Sequence, residues 1–142
     1  MIRAATSKDV EIVNAIFNAP EVMEWSYMDR SKTYDMSSIL DNVKYIVLVN
    51  ETNNAMTIWE DHNDGKCEGH SMFMNSCRGK LAIETGKQMI RFMKDLGFKE
   101  LLGRTPINNK AARRFSRMIG FKSDGLTQVP GVGICELFEY KF

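Results

Sequence analysis

No apolar run in this 142-residue sequence approaches the ~20 residues that a bilayer-spanning helix needs. The opening Met1-Ile2-Arg3-Ala4-Ala5-Thr6 lacks the apolar core of a secretory signal. Cysteine is scarce and odd in number. Cys67, Cys77 and Cys135 show no paired metal-ligand spacing, so neither a disulfide framework nor a metal site is expected. These absences point to a cytoplasmic protein with reduced thiols. There are no repeats, linkers or low-complexity segments, and the length fits one domain over residues 1–142. A chain of this size buries roughly two thirds of its unfolded surface, so it needs no covalent staple.

What is present is unevenly spread. Residues 78–122 hold 12 Lys/Arg against 3 Asp/Glu, whereas residues 1–77 hold 6 against 12. A basic segment beside an acidic one implies two different surfaces. The basic one suits a phosphorylated cofactor or nucleic acid, and the acidic one a cationic partner. A plain solvated helix face accounts for the same charges. Nucleic acid ranks last, because the aromatics of the basic segment fall at apolar helix positions and caps, not in an exposed stacking series.

Hydrophobic spacing outlines the elements. Ile2 to Ala5 reads as a short strand. Thr6 or Ser7 caps a helix carrying Val10, Val13, Ile16 and Phe17, which ends before Pro20. Residues 21–42 read as loop with short helices, one around Val22 to Met28 and one over Tyr34 to Leu40. Three strands follow, at Lys44–Asn50, Ala55–Asp61 and Cys67–Met74. Asn63-Asp64-Gly65 marks a tight hairpin between the last two. Ala82 to Leu96 is an amphipathic helix stopped at Gly97. Glu100 to Thr105 is a strand. Asn108 or Asn109 caps a helix whose apolar face is Ala111, Ala112, Phe115, Met118 and Ile119, and Ile134 to Lys141 is a last strand.

The chain is organised around Cys77-Arg78-Gly79-Lys80-Leu81-Ala82-Ile83-Glu84, a basic glycine turn between a strand and a helix. The free N–H groups of a first helical turn, with the helix dipole behind them, favour an anion such as a phosphate. An ordinary polar turn has the same composition. Here the sequence resembles the GNAT superfamily of N-acetyltransferases. Arg78-Gly79-Lys80 is similar to the family's Arg/Gln-x-x-Gly-x-Gly/Ala loop. Asn109-Lys110-Ala111-Ala112-Arg113-Arg114-Phe115-Ser116-Arg117-Met118-Ile119-Gly120-Phe121 resembles the Asn-x-x-Ala-x-x-Leu/Phe-Tyr-x-x-x-Gly-Phe signature. Two departures stand out. Leu81 occupies the place of a close-approach glycine, and Ser116 stands where many members have a tyrosine.

The resemblance implies an α+β fold, an α/β/α sandwich with a mixed, mostly antiparallel sheet and helices on both faces. It implies acetyl-CoA as cofactor and an acetyltransferase acting on a small-molecule or protein-borne amine, with homodimers common. Compact phage or bacterial members have this size. The other reading is a catalytically silent module of the same fold, serving as a binding or structural accessory; Leu81 and Ser116 favour it. By the resemblance, Arg78, Gly79, Lys80, Leu81 and Ala82 would hold the pyrophosphate. The backbone at Met72 and Met74 would pair with the pantetheine arm, Asn109 would contact the coenzyme, and Ser116 would replace the tyrosine acid. Arg113, Arg114 and Arg117 are partners for a ribose phosphate or a solvated face. Glu68 and His70 alternate onto one strand face and are expected as general bases, Glu68 first. The same two residues also suit a half-solvated hairpin.

Overall fold

A computed structural model describes residues 1–142. Strand β1 (Ile2–Ala4) leads into a turn in which Thr6 and Asp9 cap each other. The Asp9 carboxylate accepts from Thr6 N at 2.8 Å and pairs with Arg3 at 2.9 Å. Helix α1 (Val10–Phe17) follows, then α2 (Pro20–Met23) with proline in its first turn, where a missing N–H costs nothing. Helix α3 is Ser37–Leu40. Next come β2 (Tyr45–Asn50), β3 (Ala55–Asp61), β4 (Lys66–Phe73) and α4 (Gly79–Asp95). The chain closes with β5 (Glu100–Pro106), α5 (Lys110–Met118), β6 (Lys122–Val129) and β7 (Gly133–Lys141).

All seven strands join one sheet in the order β1-β2-β3-β4-β5-β7-β6. Every pairing is antiparallel except β4 with β5. The fold is therefore the mixed α+β architecture expected from the sequence. The two faces of the sheet carry separate cores. On one, α4 lays Ala82, Met89, Ile90 and Met93 over Leu48, Cys67, Leu101 and Phe138. On the other, Val13, Ile16, Phe17 and Met23 from α1 and α2 cover Val47, Val49, Met56 and Ile58. Burying one such aliphatic side chain is worth roughly 1.5–3 kcal/mol, so both layers hold the sheet.

Three expectations need correction. The helix after Pro20 ends at Met23, leaving Trp25, Tyr27 and Met28 in a loop. Ala111 and Met118 are exposed rather than core, because α5 leans on the sheet mainly through Phe115 and Ile119. Strand β6 went unrecognised. It is an almost wholly exposed edge strand, interrupted by a register shift between Ser123 and Leu126, so its residues lack the apolar alternation that marks a half-buried strand.

Glu136 on β7 ties this end of the sheet to α5. It is 4% exposed and accepts from Arg113 Nε at 2.8 Å and from Arg117. Burial pushes its carboxyl up, but hydrogen bonds from Ser123, Arg113 and Arg117 outweigh that and bring it down to about 2. A folded value below the ordinary 4.5 means the stabilisation is complete above about pH 4.5 and is lost as pH falls toward about 2. Glu136→Gln is expected to lower stability at pH 7 by about 2 kcal/mol and to flatten the loss between pH 4.5 and 2. Urea unfolding at pH 7 and pH 3 checks both. Arg113 and Arg117 are thus engaged within the fold, and of the three arginines only Arg114 faces the cleft described next.

Candidate active site

Strands β4 and β5 run side by side only at Lys66, Cys67 and Glu68, which pair with Glu100, Leu101 and Leu102. Beyond that point they part. Residues 69–73 of β4 pair only with β3, and residues 103–106 of β5 pair only with β7. Two backbone edges in the middle of a sheet are left without strand partners. Such edges are strong hydrogen-bonding surfaces that something polar must satisfy. The fork opens into a cleft of about 1030 Å³ that reaches both faces of the sheet.

The first turn of α4 lies at one mouth of this cleft, where Arg78, Gly79, Lys80 and Ala82 line it. Arg78 is the helix N-cap, and its side chain makes no capping bond, so the first-turn amides are uncovered. Gly79 has φ of +61° with no atom within 4 Å of where a Cβ would stand. Only glycine takes that backbone shape readily, and the space beside it is open. The preceding loop is fixed from three sides. Asn75 N donates to Glu21 at 3.0 Å, Asn54 Nδ2 to Ser76 Oγ at 3.0 Å, and Cys77 N to Met74 O at 2.9 Å. The bond from Asn75, then the pull of Arg78, hold the Glu21 carboxyl below its ordinary value.

The bulk of leucine does not close this mouth. Leu81 is 49% exposed and is not among the residues that line the cleft. Met74 is a clearer correction. It packs with the α1-side core, and its N–H already donates to Asn54 O at 2.9 Å while its carbonyl accepts from Cys77. Met72 does line the cleft. So do Asn109 and Ser116 on the α5 side. Asn109 Oδ1 accepts from Ala112 N at 3.2 Å, which makes it the N-cap of α5 as well.

On the α1 side, Glu68 and His70 both line the cleft, but they are not equivalent. Glu68 is 5% exposed, and each of its oxygens accepts from Arg104, at 2.8 Å from Nε and 3.1 Å from Nη2. This fork-to-fork pairing pushes the already high Arg104 value higher. The carboxylate expected first as a base anchors an ion pair across the two diverging strands. His62 Nε2 stands a further 3.6 Å from Glu68. His70 is exposed, opposes Ile58 on β3 and shares its face with Glu68. Gly69, between them, faces the other way. A Cβ there would sit 2.4 Å from the Trp59 ring, which explains glycine at that position.

Sequence reasoning missed Arg104. A lone arginine in a short strand has no local mark of its partner, because the partner is 36 residues away on a parallel neighbour. It also missed the role of Trp25, Tyr27 and Met28, which form part of the wall on the α2 side.

Residues 1–122 match the family described as the acetyltransferase (GNAT) domain, and the chain belongs to that family. No curated protein matches it. Among solved structures, AAC(6')-Ib in complex with ribostamycin and coenzyme A superposes with a TM-score of 0.81 at 16% identity, covering 99% of this chain and 92% of that one. The ribosomal-protein-alanine N-acetyltransferase of Brucella melitensis gives 0.80 at 18% identity, covering 100% and 99%. The protein yncA of Salmonella typhimurium, solved with its cofactor acetyl-CoA, gives 0.77 at 19% identity, covering 99% and 92%. At these identities the likeness establishes the fold. Acetyl-CoA is the cofactor of this family. The forked strands, the uncovered α4 amides and the open Gly79 turn fit such a molecule: an anionic end beside basic side chains, and an amide-bearing arm between unpaired edges. No helix is long and apolar enough to cross a membrane.

Proposed function

We propose that this protein is an acetyl-CoA-dependent N-acetyltransferase acting on a primary amine. The observation that carries the reading is the parting of β4 and β5 after Glu68, beside an uncapped basic helix start. Acetyl-CoA, when bound, supplies an activated acetyl thioester; the amine gives up one proton, gains the acetyl group, and the coenzyme leaves as its thiol.

The chain's own residues divide the remaining work. Arg78, Lys80 and the amides from Gly79 to Ala82 grip the diphosphate. The free edge of β4 through Met72 aligns the arm, and Asn109 adds a polar contact from α5. His70 takes the proton from the amine nitrogen, directly or through one water, since Glu68 is fully engaged by Arg104. Ser116 lines the cleft from α5 and would offer an O–H to the leaving thiolate. Residues 1–142 act as one domain in this reading.

Thermal denaturation with added acetyl-CoA tests the proposal. At 100 times its dissociation constant the coenzyme should add roughly 2.7 kcal/mol, or a rise of about 10 °C in a chain of this size. Gly79→Val forces a β-branched residue into a positive φ, and should raise the dissociation constant at least ~10-fold, a change of ~1.4 kcal/mol. Absence of any shift at millimolar coenzyme would overturn the reading and leave a scaffold without this ligand.

A further inference from the structure

The acceptor mouth has its own chemistry, and reading it rests on the acetyl-transfer proposal above. A coenzyme gripped at α4 comes in from the helix side of the fork. The opposite mouth, on the α1–α2 face, is what remains for the amine. Its wall is apolar and aromatic. Phe17 and Met23 form the floor, Met72 one flank, and Trp25, Tyr27 and Met28 the rim. The rim residues are 51%, 55% and 44% exposed, three large apolar side chains within four positions of one loop. Clustered exposure of this kind marks a surface that binds something.

The loop that carries them is tied down. Ser26 N donates to Met23 O at 3.0 Å, Asp29 N to Tyr34 Oη at 3.0 Å, and Arg30 Nη2 to Glu24 O at 2.7 Å. The rings are therefore presented on a held backbone, which lowers the cost of ordering them on binding.

Charge narrows the ligand further. Only two carboxylates line the whole cleft, Glu21 and Glu68, and both are engaged, by Asn75 N and by Arg104. Glu60, nearby on β3, is held by Lys44 at 3.0 Å. Against them stand Arg78, Lys80, Arg104 and Arg114. A polyamine or an amino sugar with several ammonium groups would find one carboxylate outside an ion pair, Glu21, and its charge is already offset by the nearby Arg78. A single amine has no extra charge to place, and an aromatic body on it can stack on the ring faces of the rim.

We propose that the acceptor is an apolar monoamine, a primary amine on a short arm carrying an aromatic body, with the body packed against Trp25 and Tyr27 and the nitrogen directed toward His70. Isothermal calorimetry on the full chain, with and without coenzyme A, compares phenethylamine, spermidine and kanamycin. Phenethylamine should bind at least ~10-fold tighter than either polycation, and Trp25→Ala or Tyr27→Ala should each weaken it ~5–10-fold while leaving the thermal shift from acetyl-CoA in place. Equal or tighter binding of spermidine or kanamycin overturns the proposal, as does a Trp25→Ala variant with unchanged phenethylamine affinity. Thiol release is followed in the same samples. Phenethylamine binding without thiol release would reject catalysis and keep the pocket assignment. An acetyl-CoA shift without phenethylamine binding would reject the pocket assignment alone.

Discussion

Arg104→Ala is expected to destabilise the protein by about 3 kcal/mol, because it strands the buried Glu68 carboxylate. The pair is asymmetric: the Glu68 side chain is almost fully covered, while Arg104 is partly open to solvent. Removing the exposed partner therefore hurts mainly through the one left behind. The double variant Arg104→Met with Glu68→Gln should recover most of that loss, since neither member then carries an unpaired charge. The pair also has a positional role. Strand pairing stops at Glu68 and Leu102, and Arg104 reaches back from two residues past that point to hold Glu68. It clips β4 to β5 where the two strands begin to part. The single variant should then loosen the fork and weaken acetyl-CoA as well as the fold. Urea unfolding measures the first effect and the coenzyme-dependent melting shift the second. A loss below about 1 kcal/mol would mean that water enters and solvates Glu68, as at an ordinary surface pair.

The Arg104 pair also shows where sequence reading stops. Local signals carried well. Thr6 and Asp9 cap the first turn; Asn63, Asp64 and Gly65 all take positive φ in the hairpin; Asn109 caps α5. The apolar spacing of α4 places Ala82, Met89, Ile90 and Met93 in the core as expected, whereas Leu96, expected on the same face, is the C-cap and is 52% exposed. These features depend on residues a few positions apart, so their physics is written locally. The fork is not local. Whether β4 and β5 separate after three pairs depends on what each strand finds on its other side, β3 and β7, and no residue of either strand encodes that alone. The expected bases illustrate the point. Alternation correctly puts Glu68 and His70 on one face, but which of them is free depends on Arg104, brought in by a parallel crossover through α4. Leu81 is the converse case. Its size argues for a blocked loop, yet with α4 starting at Gly79 the side chain is half exposed and outside the cleft lining. Strand β6 was lost for a third reason: an exposed edge strand buries too little to imprint a pattern.

His70→Ala is expected to lower turnover about 100-fold or more, the usual range for removing a positioned proton acceptor. It should leave the thermal shift with acetyl-CoA unchanged, because His70 is on β4 beyond the fork, away from the α4 turn proposed to hold the diphosphate. It should also leave the fold nearly untouched, since the side chain is exposed and makes no hydrogen bond or ion pair within the chain. Those two controls separate a chemical role from a structural one. A third is rescue. An added imidazole fits the space the variant vacates in an open cleft, and restored turnover in proportion to its concentration would assign the missing function to the ring itself. Glu68→Gln provides the contrast. It should cost stability through Arg104, and any loss of turnover should follow the weakened fork and not respond to imidazole. Turnover within twofold of the parent in His70→Ala would remove the imidazole from the reaction. The proton would then pass to water alone, in a cleft whose two lining carboxylates are already bound by the protein itself.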